Sequence, residues 1–393
     1  MSAPSALLGD IASLQAGIGF PPALQGRTAG DFPFAKVGDI SRCGRSDSSV
    51  LSTADHYVDQ ADVFQLRAKL IPAGSVLFAK IGEAIRQNHR VMSGCPMLID
   101  NNAMAAIPSD RVDGRFLYNY LKTVDFYALA PATTVPALRK SVLETLNIPL
   151  PPLVEQRRIA AILDQAETLR TQRRVALAQL DSLTQSLFLD MFGDPVANPK
   201  GWKKLPFSEA CETRLGKMLD ARQQTGLDKR RYLRNANVQW FRIDLFDLLE
   251  MDFDSAARVT FKLEKGDLLI CEGGEPGRAA VWQGELEDVY YQKALHRGRP
   301  KADIAGADYL VWLLWFLAHS GGLGDHVTAA TIAHLTGEKL KAMLIPLPPL
   351  ALQQTFATRI LAIESLKTTH RTALTDLDAL FASLQQRAFA GEL

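Results

Sequence analysis

Two long stretches of the chain carry apolar residues at alternating spacings of three and four, with polar residues between them. In the first stretch these positions run from Ile159 to Leu187, and neither glycine nor proline occurs between Leu153 and Phe192. Such spacing keeps apolar side chains on one face of a helix. The pattern predicts long helices in residues 148–193 and 345–393, with proline-rich approaches that suit helix starts.

The two predicted helices are expected to pair with each other along an apolar seam. The seam residues are Ile159, Ile162, Leu169, Leu180, Leu183 and Leu187 in the first helix, and Phe356, Ile363, Leu366, Leu377, Leu380 and Leu384 in the second. Arg173 and His370 are polar at the same seam position, and such a pair can fix the register. The alternative is that each helix packs only on its own domain. Pairing is favoured because each helix, at roughly 55–60 Å, would overhang a domain of about 150 residues.

An internal repeat divides the chain into two similar halves. The sequence Ile-Pro-Leu-Pro-Pro-Leu begins at Ile148 and returns at Ile345, 197 residues later, and both copies open a predicted helix. Each helix follows a mixed segment, residues 1–147 and 194–344, in which short apolar runs alternate with Gly, Pro and Asp. Such runs are typical of strands between turns. We therefore predict a tandem pair of α/β (α+β) domains, each followed by a long helix.

The two mixed segments also resemble each other, more faintly. Residues Gly74–Glu83 align with Gly266–Glu275, and Lys36–Ile40 align with Arg234–Val238. The apolar skeleton is shared, whereas the polar residues differ. This is the pattern expected of one fold with two different binding specificities.

Composition and charge exclude several classes of protein. The net charge of +1 argues against a polybasic coat, although DNA binding requires only a local basic face. The four cysteines form no C-x-x-C pair, so neither a disulfide framework nor a zinc site is expected. The N-terminus has no signal-peptide pattern, and the apolar run Tyr309–Ala318 is too short to cross a bilayer. We expect a cytoplasmic protein with no membrane association.

Three sequence features together resemble the specificity (S) subunit of Type I restriction–modification systems. They are the repeated I-P-L-P-P-L-x-x-Q opening, the M-F-G-D-P…N-P-K-G-W connector at 191–202, and the A-F-A-G-E-L segment at 388–393. The resemblance covers nearly the whole chain. One departure is that the N-terminus lacks the Trp-Lys opening that the second half has at Trp202, which bears on where the first domain begins.

The resemblance implies a fold and a set of partners. It implies two α/β target-recognition domains, 1–147 and 194–344, separated by two long helices that form an antiparallel coiled coil. Each domain would read one half of a split double-stranded DNA target. The chain would recruit two modification subunits, which carry S-adenosylmethionine, and two restriction subunits can join them. No cofactor is expected on this chain itself.

Candidate DNA contacts are polar side chains that can reach base edges or phosphates. Arg and Lys suit guanine, Asn and Gln suit adenine, and Lys, Arg and Thr suit phosphate. In the first half the candidates are Lys36, Lys80, Arg86, Gln87, Asn88, His89, Arg90, Thr133, Thr134 and Arg139; in the second half they are Lys229, Arg230, Arg231, Arg234, Asn235, Asn237, Arg278, Gln292, Lys293, His296, Arg297, Thr331 and His334. For each of them the alternative is a solvated surface residue without a ligand.

The sequence offers little for a catalytic role. It has no G-x-x-x-x-G-K-[ST] phosphate loop, no H-E-x-x-H metal motif and no N-P-P-Y or D-P-P-Y tetrapeptide of an amino-methyltransferase. We therefore expect a non-catalytic DNA-recognition subunit without catalytic or metal-binding residues. Two alternatives stay open: a scaffold that binds protein instead of DNA and, less favoured, a self-sufficient DNA methyltransferase or nuclease. A steep dependence of affinity on salt would distinguish DNA binding from the scaffold.

Overall fold

The structure, a computed structural model, describes residues 4–46, 48–131, 134–220, 224–324 and 334–393. Its contacts divide the chain into two compact units. The first unit is Met1–Ala176 with His370–Leu393, and the second is Leu177–Thr369. Both boundaries fall inside long helices, so each unit contains part of both helices.

The first unit contains ten strands and parts of the two long helices among its described residues. Its strands are β1 (Ser5–Leu7), β2 (Ala12–Ala16), β3 (Phe32–Ala35), β4 (Val50–Leu51), β5 (Tyr57–Val58), β6 (Val76–Ala79), β7 (Arg90–Ser93), β8 (Leu98–Ile99), β9 (Ala103–Pro108) and β10 (Asn147–Pro149). Its helices are α1 (Leu8–Ile11), α2 (Val37–Arg45), α3 (Gln60–Gln65), α4 (Gly114–Thr123), α5 (Phe126–Leu129), α6 (Lys140–Glu144) and the first part of α7 (Leu153–Phe192), with 3-10 turns at Pro22–Leu24 and Glu83–Ile85.

The second unit has a similar order of elements. Its strands are β11 (Lys204–Pro206), β12 (Cys211–Leu215), β13 (Lys229–Leu233), β14 (Val238–Gln239), β15 (Arg242–Ile243), β16 (Leu249–Asp252), β17 (Leu268–Cys271), β18 (Ala279–Val281), β19 (Tyr290–Tyr291), β20 (Leu295–Pro300) and β21 (Leu344–Pro346). Its helices are α8 (Phe207–Ala210), α9 (Ser255–Phe261), α10 (Ala307–His319), α11 (Gly337–Ala342) and the first part of α12 (Leu350–Ala390), with a 3-10 turn at Asn235–Asn237.

The sheets of the two units share one strand order, except that the main sheet of the first unit has an additional edge strand, β4. The main sheet has the order β2-β9-β6-β7-β4 in the first unit and β12-β20-β17-β18 in the second. The smaller sheets also match, because β3 pairs in parallel with β8 and antiparallel with β5, as β13 does with β19 and β16. The predicted pair of similar mixed α/β folds is confirmed.

The central strand of each main sheet is apolar on both faces. Val76 and Phe78 of β6 pack in one core cluster together with Phe116 of α4, whereas Leu77 packs in another cluster with Ile40. Side chains alternate between the two faces of a strand, so a continuous apolar run fits a strand that is covered on both sides. Strand β17 is divided between two clusters in the same way.

The long helices begin a few residues later than predicted. Helix α7 starts at Leu153 because Ile148 lies in β10, opposite Ala6 of β1. Helix α12 starts at Leu350 because Ile345 lies in β21, opposite Leu205. The repeated Ile-Pro-Leu sequence is therefore a strand and an approach to the helix.

The glutamine that follows this motif joins each long helix to its unit. Gln156 is 1% exposed; its side-chain oxygen accepts a hydrogen bond from the Asp113 N–H at 2.8 Å, and its amide donates to the Pro151 carbonyl at 2.8 Å. Gln353, also 1% exposed, accepts from the Gly306 N–H at 2.9 Å and donates to a proline carbonyl at 2.8 Å. The recurrence of this glutamine thus has a structural cause.

We expect Gln156→Ala and Gln353→Ala each to lower the free energy of unfolding by about 2–4 kcal/mol, because truncation leaves several buried backbone groups unpaired. Urea unfolding followed by circular dichroism measures the change. The neighbouring residues Gln165 and Gln354 are exposed on the same helices, so their alanine variants are matched controls. Equal effects of the buried and the exposed substitutions would contradict this role.

The two long helices pack antiparallel within each unit. In the first unit Arg170 of α7 contacts Asp378 at 2.6 Å, and Arg173, further along α7, contacts His370 at 3.2 Å, so residue numbers run in opposite directions. In the second unit Lys367 of α12 contacts Asp181 at 2.8 Å. The predicted antiparallel helix pair is confirmed.

The repeat places one ion cluster in each unit. Arg170 lies between Glu167 and Asp378 at 2.6 Å from each, and Lys367 lies between Glu364 and Asp181 at 2.7 and 2.8 Å. A shift of 197 residues converts the first cluster into the second. The arginine side chain is 17% exposed and the lysine side chain 5%, so loss of a partner would leave a charge largely removed from water.

The middle of the helix pair differs from the predicted apolar seam. Leu169, Leu183, Leu366 and Leu380 are 40%, 50%, 52% and 49% exposed. In each case the following residue faces inward: Arg170, Thr184, Lys367 and Phe381. A straight α-helix rotates by about 20° per heptad relative to a repeat of 3.5 residues, so the inward set moves on by one position. Ile159, Phe356 and Ile363 are buried, and the other seam residues, Ile162, Leu180, Leu187, Leu377 and Leu384, are partly buried.

Candidate nucleic-acid interface

One edge of the first unit brings together four separate polar segments, which we call the first rim: Lys36, Lys80, Asp100–Asn102 and 134–139. Three backbone hydrogen bonds join them. The Asp100 N–H donates to Ala35 at 3.0 Å, the Lys80 N–H to Asn102 at 2.7 Å, and the Leu138 N–H to Lys80 at 2.9 Å. Loops that are distant in sequence therefore form one continuous surface.

The second unit has an equivalent surface, the second rim, formed by Arg234, Glu272, Gln292–Ala294 and 334–335. The same three bonds recur. The Gln292 N–H donates to Leu233 at 3.0 Å, the Glu272 N–H to Ala294 at 2.9 Å, and the Leu335 N–H to Glu272 at 2.7 Å. The same three backbone hydrogen bonds thus join the segments of both rims.

A glycine packs against the same turn in each rim. A Cβ atom on Gly17 would lie 1.9 Å from the Asp100 carbonyl oxygen, and one on Gly216 would lie 2.4 Å from the Gln292 carbonyl carbon. Any larger residue would displace the turn. The close approach holds the turn in place in both units.

The basic residue at the start of each rim is positioned by the same local structure. The Lys36 N–H donates to the Asp39 carboxylate at 2.7 Å, and the Arg234 N–H donates to the Asn237 side chain at 3.0 Å. Both residues directly follow the central strand of the smaller sheet, so the alignment of these segments predicted from the sequence matches their structure.

Several buried polar atoms at the rims find no hydrogen-bond partner among the described residues. They are Asp100 Oδ1 in the first rim and Arg234 Nε in the second, with Asn235 Oδ1 and Arg278 Nε beside it. The Arg278 side chain lies beside Arg234 and Asn235 because it donates a hydrogen bond to the Asn235 carbonyl at 3.1 Å. Buried polar groups are normally paired with protein or water. Their presence at both rims favours a polar surface that meets a ligand or water.

The predicted cluster Arg86–Arg90 lies against the end of α4, where the Asn88 amide donates to the Val124 carbonyl at 3.1 Å. Arg90 is 5% exposed, stacks on Phe126 at 3.5 Å from the ring centroid, and donates to Asn88 at 2.8 Å. Burial lowers the pKa of Arg90 to about 9. Arg86 stacks on Tyr127 at 4.3 Å, and Gln87 is exposed. The structure gives Asn88 and Arg90 internal roles; as DNA contacts all five residues, His89 included, stay predictions.

Three candidates of the second unit are also buried. Asn237 donates to the carbonyls of residues 244 and 247, His296 contacts the Leu335 carbonyl at 3.2 Å, and Arg297 pairs with Glu212 at 3.3 Å. Desolvation lowers the pKa of His296. These side chains support the domain from inside.

The remaining candidates are at the surface or outside the described residues. Lys229 and Arg231 are exposed on β13, and Arg230 pairs with Asp288 at 3.0 Å. Thr134 and Arg139 are exposed, and His334 is partly exposed beside Leu335. Thr133 and Thr331 lie outside the described residues.

The sequence-based candidates omitted Asp100–Asn102. The available signal was three consecutive polar residues directly after the apolar run Met97–Ile99. These residues lie in the first rim because β8, which precedes them, pairs with β3.

Neither metal nor membrane chemistry is indicated by the described part of the chain. It contains no group of three or more His, Cys, Asp or Glu side chains arranged to hold a metal ion. None of its helices is both long enough and apolar enough to span a membrane.

The repeated fold, whose two rims are joined by matching hydrogen bonds and differ in side chains, defines a protein of two related modules. Residues 7–179 match the family model described as the Type I restriction modification DNA specificity domain. The MjaIX specificity subunit of Methanocaldococcus jannaschii is 26% identical over 239 residues, 54% of this chain and 51% of that protein. The putative subunit S.HindORF215P of Haemophilus influenzae is 23% identical over 303 residues, 74% of this chain and 75% of that protein. The match thus spans about half the length of the first relative.

Two solved structures share the fold. The S subunit of a type I system from M. genitalium has a TM-score of 0.60 at 14% identity and covers 98% of this chain and 96% of that chain. A chain from a type I system studied for complex assembly and conformational transition has a TM-score of 0.59 at 18% identity, with 100% and 98% covered. Residues 7–179 are therefore similar to the type I restriction modification DNA specificity domain, and the fold is shared with the S subunit from M. genitalium.

We expect Asp100→Asn to raise the melting temperature at pH 7. Desolvation raises the pKa of this carboxyl, and hydrogen bonds from Asn102 offset the shift only in part. Because the folded pKa lies above the unfolded value of about 3.9, the charged form opposes folding at neutral pH, and this penalty disappears as the pH falls below that value. The gain should therefore shrink on acidification, as thermal unfolding across pH measures.

Asp62→Asn is the matched control with the opposite sign. Hydrogen bonding from the Asp59 backbone and the Arg27 side chain lowers the pKa of the Asp62 carboxyl. Its charged form stabilises the fold above the unfolded pKa, so the control should lower the melting temperature at pH 7. A lower melting temperature for Asp100→Asn at pH 7 would contradict the conclusion that the charged form of Asp100 opposes folding.

Proposed function

We propose that this chain is the DNA sequence-specificity subunit of a type I restriction–modification complex and recognises a bipartite double-stranded DNA target. Residues 1–147 and 194–344 are the two target-recognition domains. The observation that carries this proposal is the equivalence of the two rims, which are joined by the same three backbone hydrogen bonds and carry different side chains.

The differences between the rims suit two half-sites of different sequence. Lys80 in the first rim corresponds to Glu272 in the second, and Asp100 corresponds to Gln292. A lysine, a carboxylate and an amide offer different donors and acceptors to base edges. The basic residues Lys36 and Arg234 are shared, as expected of contacts to the DNA backbone, which is the same in both half-sites.

The helix pair, on this proposal, fixes the spacing between the two half-sites. Helices α7 and α12 each run without a break from one unit into the other. The ion clusters around Arg170 and Lys367 and the contact of Arg173 with His370 hold them in one register, because a slip would separate the charges.

We assign the modification subunits to the exposed leucines of the helix pair. The first unit has Leu169 and Leu380 exposed, and the second has the repeat-equivalent Leu366 and Leu183. Two repeat-equivalent pairs of exposed leucines suit two copies of one partner. The modification subunits would supply S-adenosylmethionine and the catalytic residues, and two restriction subunits can join the assembly. This chain would act in the cytoplasm without catalysing a reaction itself.

We expect the double variant Leu169→Glu, Leu366→Glu to bind the modification subunit at least tenfold more weakly. Each leucine would contribute about 1.5–3 kcal/mol to the free energy of binding if the partner buries it fully. Titration calorimetry with the purified modification subunit measures the affinity. Leu227→Glu, at a leucine that is 87% exposed and outside the long helices, is the control. Unchanged affinity of the double variant, with an unchanged melting temperature, would refute this surface.

The function itself is tested by methylome sequencing. A strain that carries this chain with its modification subunit is compared with a strain that lacks the chain. We expect N6-methyladenine in one split motif only when the chain is present. No difference in any methylated motif, together with DNA affinity that hardly responds to salt, would favour the protein-binding scaffold. Phosphate contacts would instead make the logarithm of the binding constant fall with the logarithm of the salt concentration, with a slope of about −0.9 per contact.

A further inference from the structure

We propose that Asn101 and Lys293 are equivalent base-reading residues, Asn101 for an adenine in one half-site and Lys293 for a guanine in the other. This inference rests on the proposed function and goes beyond it, because it names the residue and the base. The two residues occupy the same position, the tip of the turn that precedes the last strand of the main sheet in each unit.

The turn of the first unit is fixed on both sides of its tip. Before the tip, the Asp100 N–H donates to the Ala35 carbonyl at 3.0 Å; after it, the Asn102 carbonyl accepts from the Lys80 N–H at 2.7 Å. Gly17 packs against the same turn. Asn101 is therefore the one residue between two anchored neighbours, and it is exposed.

The turn of the second unit is fixed in the same way. The Gln292 N–H donates to Leu233 at 3.0 Å, and the Ala294 carbonyl accepts from Glu272 at 2.9 Å. The Lys293 N–H itself donates to the Lys217 carbonyl at 3.0 Å. Lys293 is exposed, as Asn101 is.

The two tip side chains are available to a ligand, whereas their neighbours are engaged. Within the described residues neither Asn101 nor Lys293 has a side-chain hydrogen bond or an ion pair. Lys36 donates to Gln25 at 3.1 Å, Arg234 pairs with Asp247, and Arg278 pairs with Glu275 at 3.1 Å. The unpaired buried atoms of Asp100 and Arg234 lie at the same rims and mark them as polar surfaces.

The chemistry of the two tips selects different bases. An asparagine amide both donates and accepts, which matches N6 and N7 of adenine, whereas a lysine ammonium only donates, which matches O6 and N7 of guanine. Because the backbone of each turn is already anchored, binding has to order only the side chain. Two turns that are anchored by equivalent hydrogen bonds therefore present two different side chains, which is what two unlike half-sites require.

The test exchanges the two readers in the full chain, expressed with its modification subunit. The variants are Asn101→Lys and Lys293→Asn, and the methylated motif of each is determined by methylome sequencing. We expect each variant to change the required base at one position of one half-site and to leave the other half-site and the spacer unchanged. On duplexes altered at that position, the preference for the original base should fall about tenfold to hundredfold.

Lys265→Asn is the matched control. Lys265 is exposed and precedes β17, whereas the second rim lies beyond the end of that strand. The control should keep the wild-type motif. Equal melting temperatures of all variants establish that the substitutions leave the fold intact; Asn101→Ala and Lys293→Ala, which should relax the requirement at the same positions, replace any variant that fails to fold.

The outcomes separate this inference from the proposed function. If the wild type methylates a split motif and both exchanges leave it unchanged, the inference is wrong and the function stands. If the variants weaken binding equally for all bases, the tips contact phosphate and the inference is also wrong. If the wild type directs no specific methylation, the proposed function itself fails.

Discussion

The antiparallel packing of α7 against α12 is the constraint on which both hydrophobic cores depend. In the first unit the ring of Phe389, near the end of α12, lies 5.5 Å from Phe116 and 5.1 Å from Tyr120. In the second unit Phe192, the repeat-equivalent residue at the end of α7, lies 4.8 Å from Tyr309. Each core is thus closed by the helix that follows the other domain in sequence.

Stability and the proposed recognition of DNA rest on different residues. The cores and the glutamines at 156 and 353 hold each domain to the helices through apolar contact and fully paired amides. The rims have the opposite character: desolvation raises the pKa of Asp100, and buried polar atoms stay unpaired. Natural proteins tolerate such local costs where a surface must bind. The molecule can change its rims without disturbing its cores, because different residues carry the two tasks.

The repeat and the hydrophobic pattern were sufficient to predict two similar α/β domains and a pair of long helices. They were insufficient for the details of the helix pair, because the drift of a straight helix turns Leu169 and Leu380 outward and brings Arg170 and Phe381 inward. The site was predicted less completely. From the sequence Arg90 is predicted to be a surface cation, whereas in the structure it is buried and stacks on Phe126. The position of Asn101 depends on hydrogen bonds between segments that are distant in sequence, so the sequence pattern does not indicate it.

The closure of the first core by Phe389 has a consequence for synthesis of the chain. A ribosome that has completed α4 must still add more than 250 residues before Phe389 can reach Phe116. At about 5–20 residues per second, this interval lasts on the order of 15–50 s. During that time Phe116 lacks its contact with Phe389, so the first core is completed only after the second domain has been made. Translation order therefore delays the first domain until the two can be completed together.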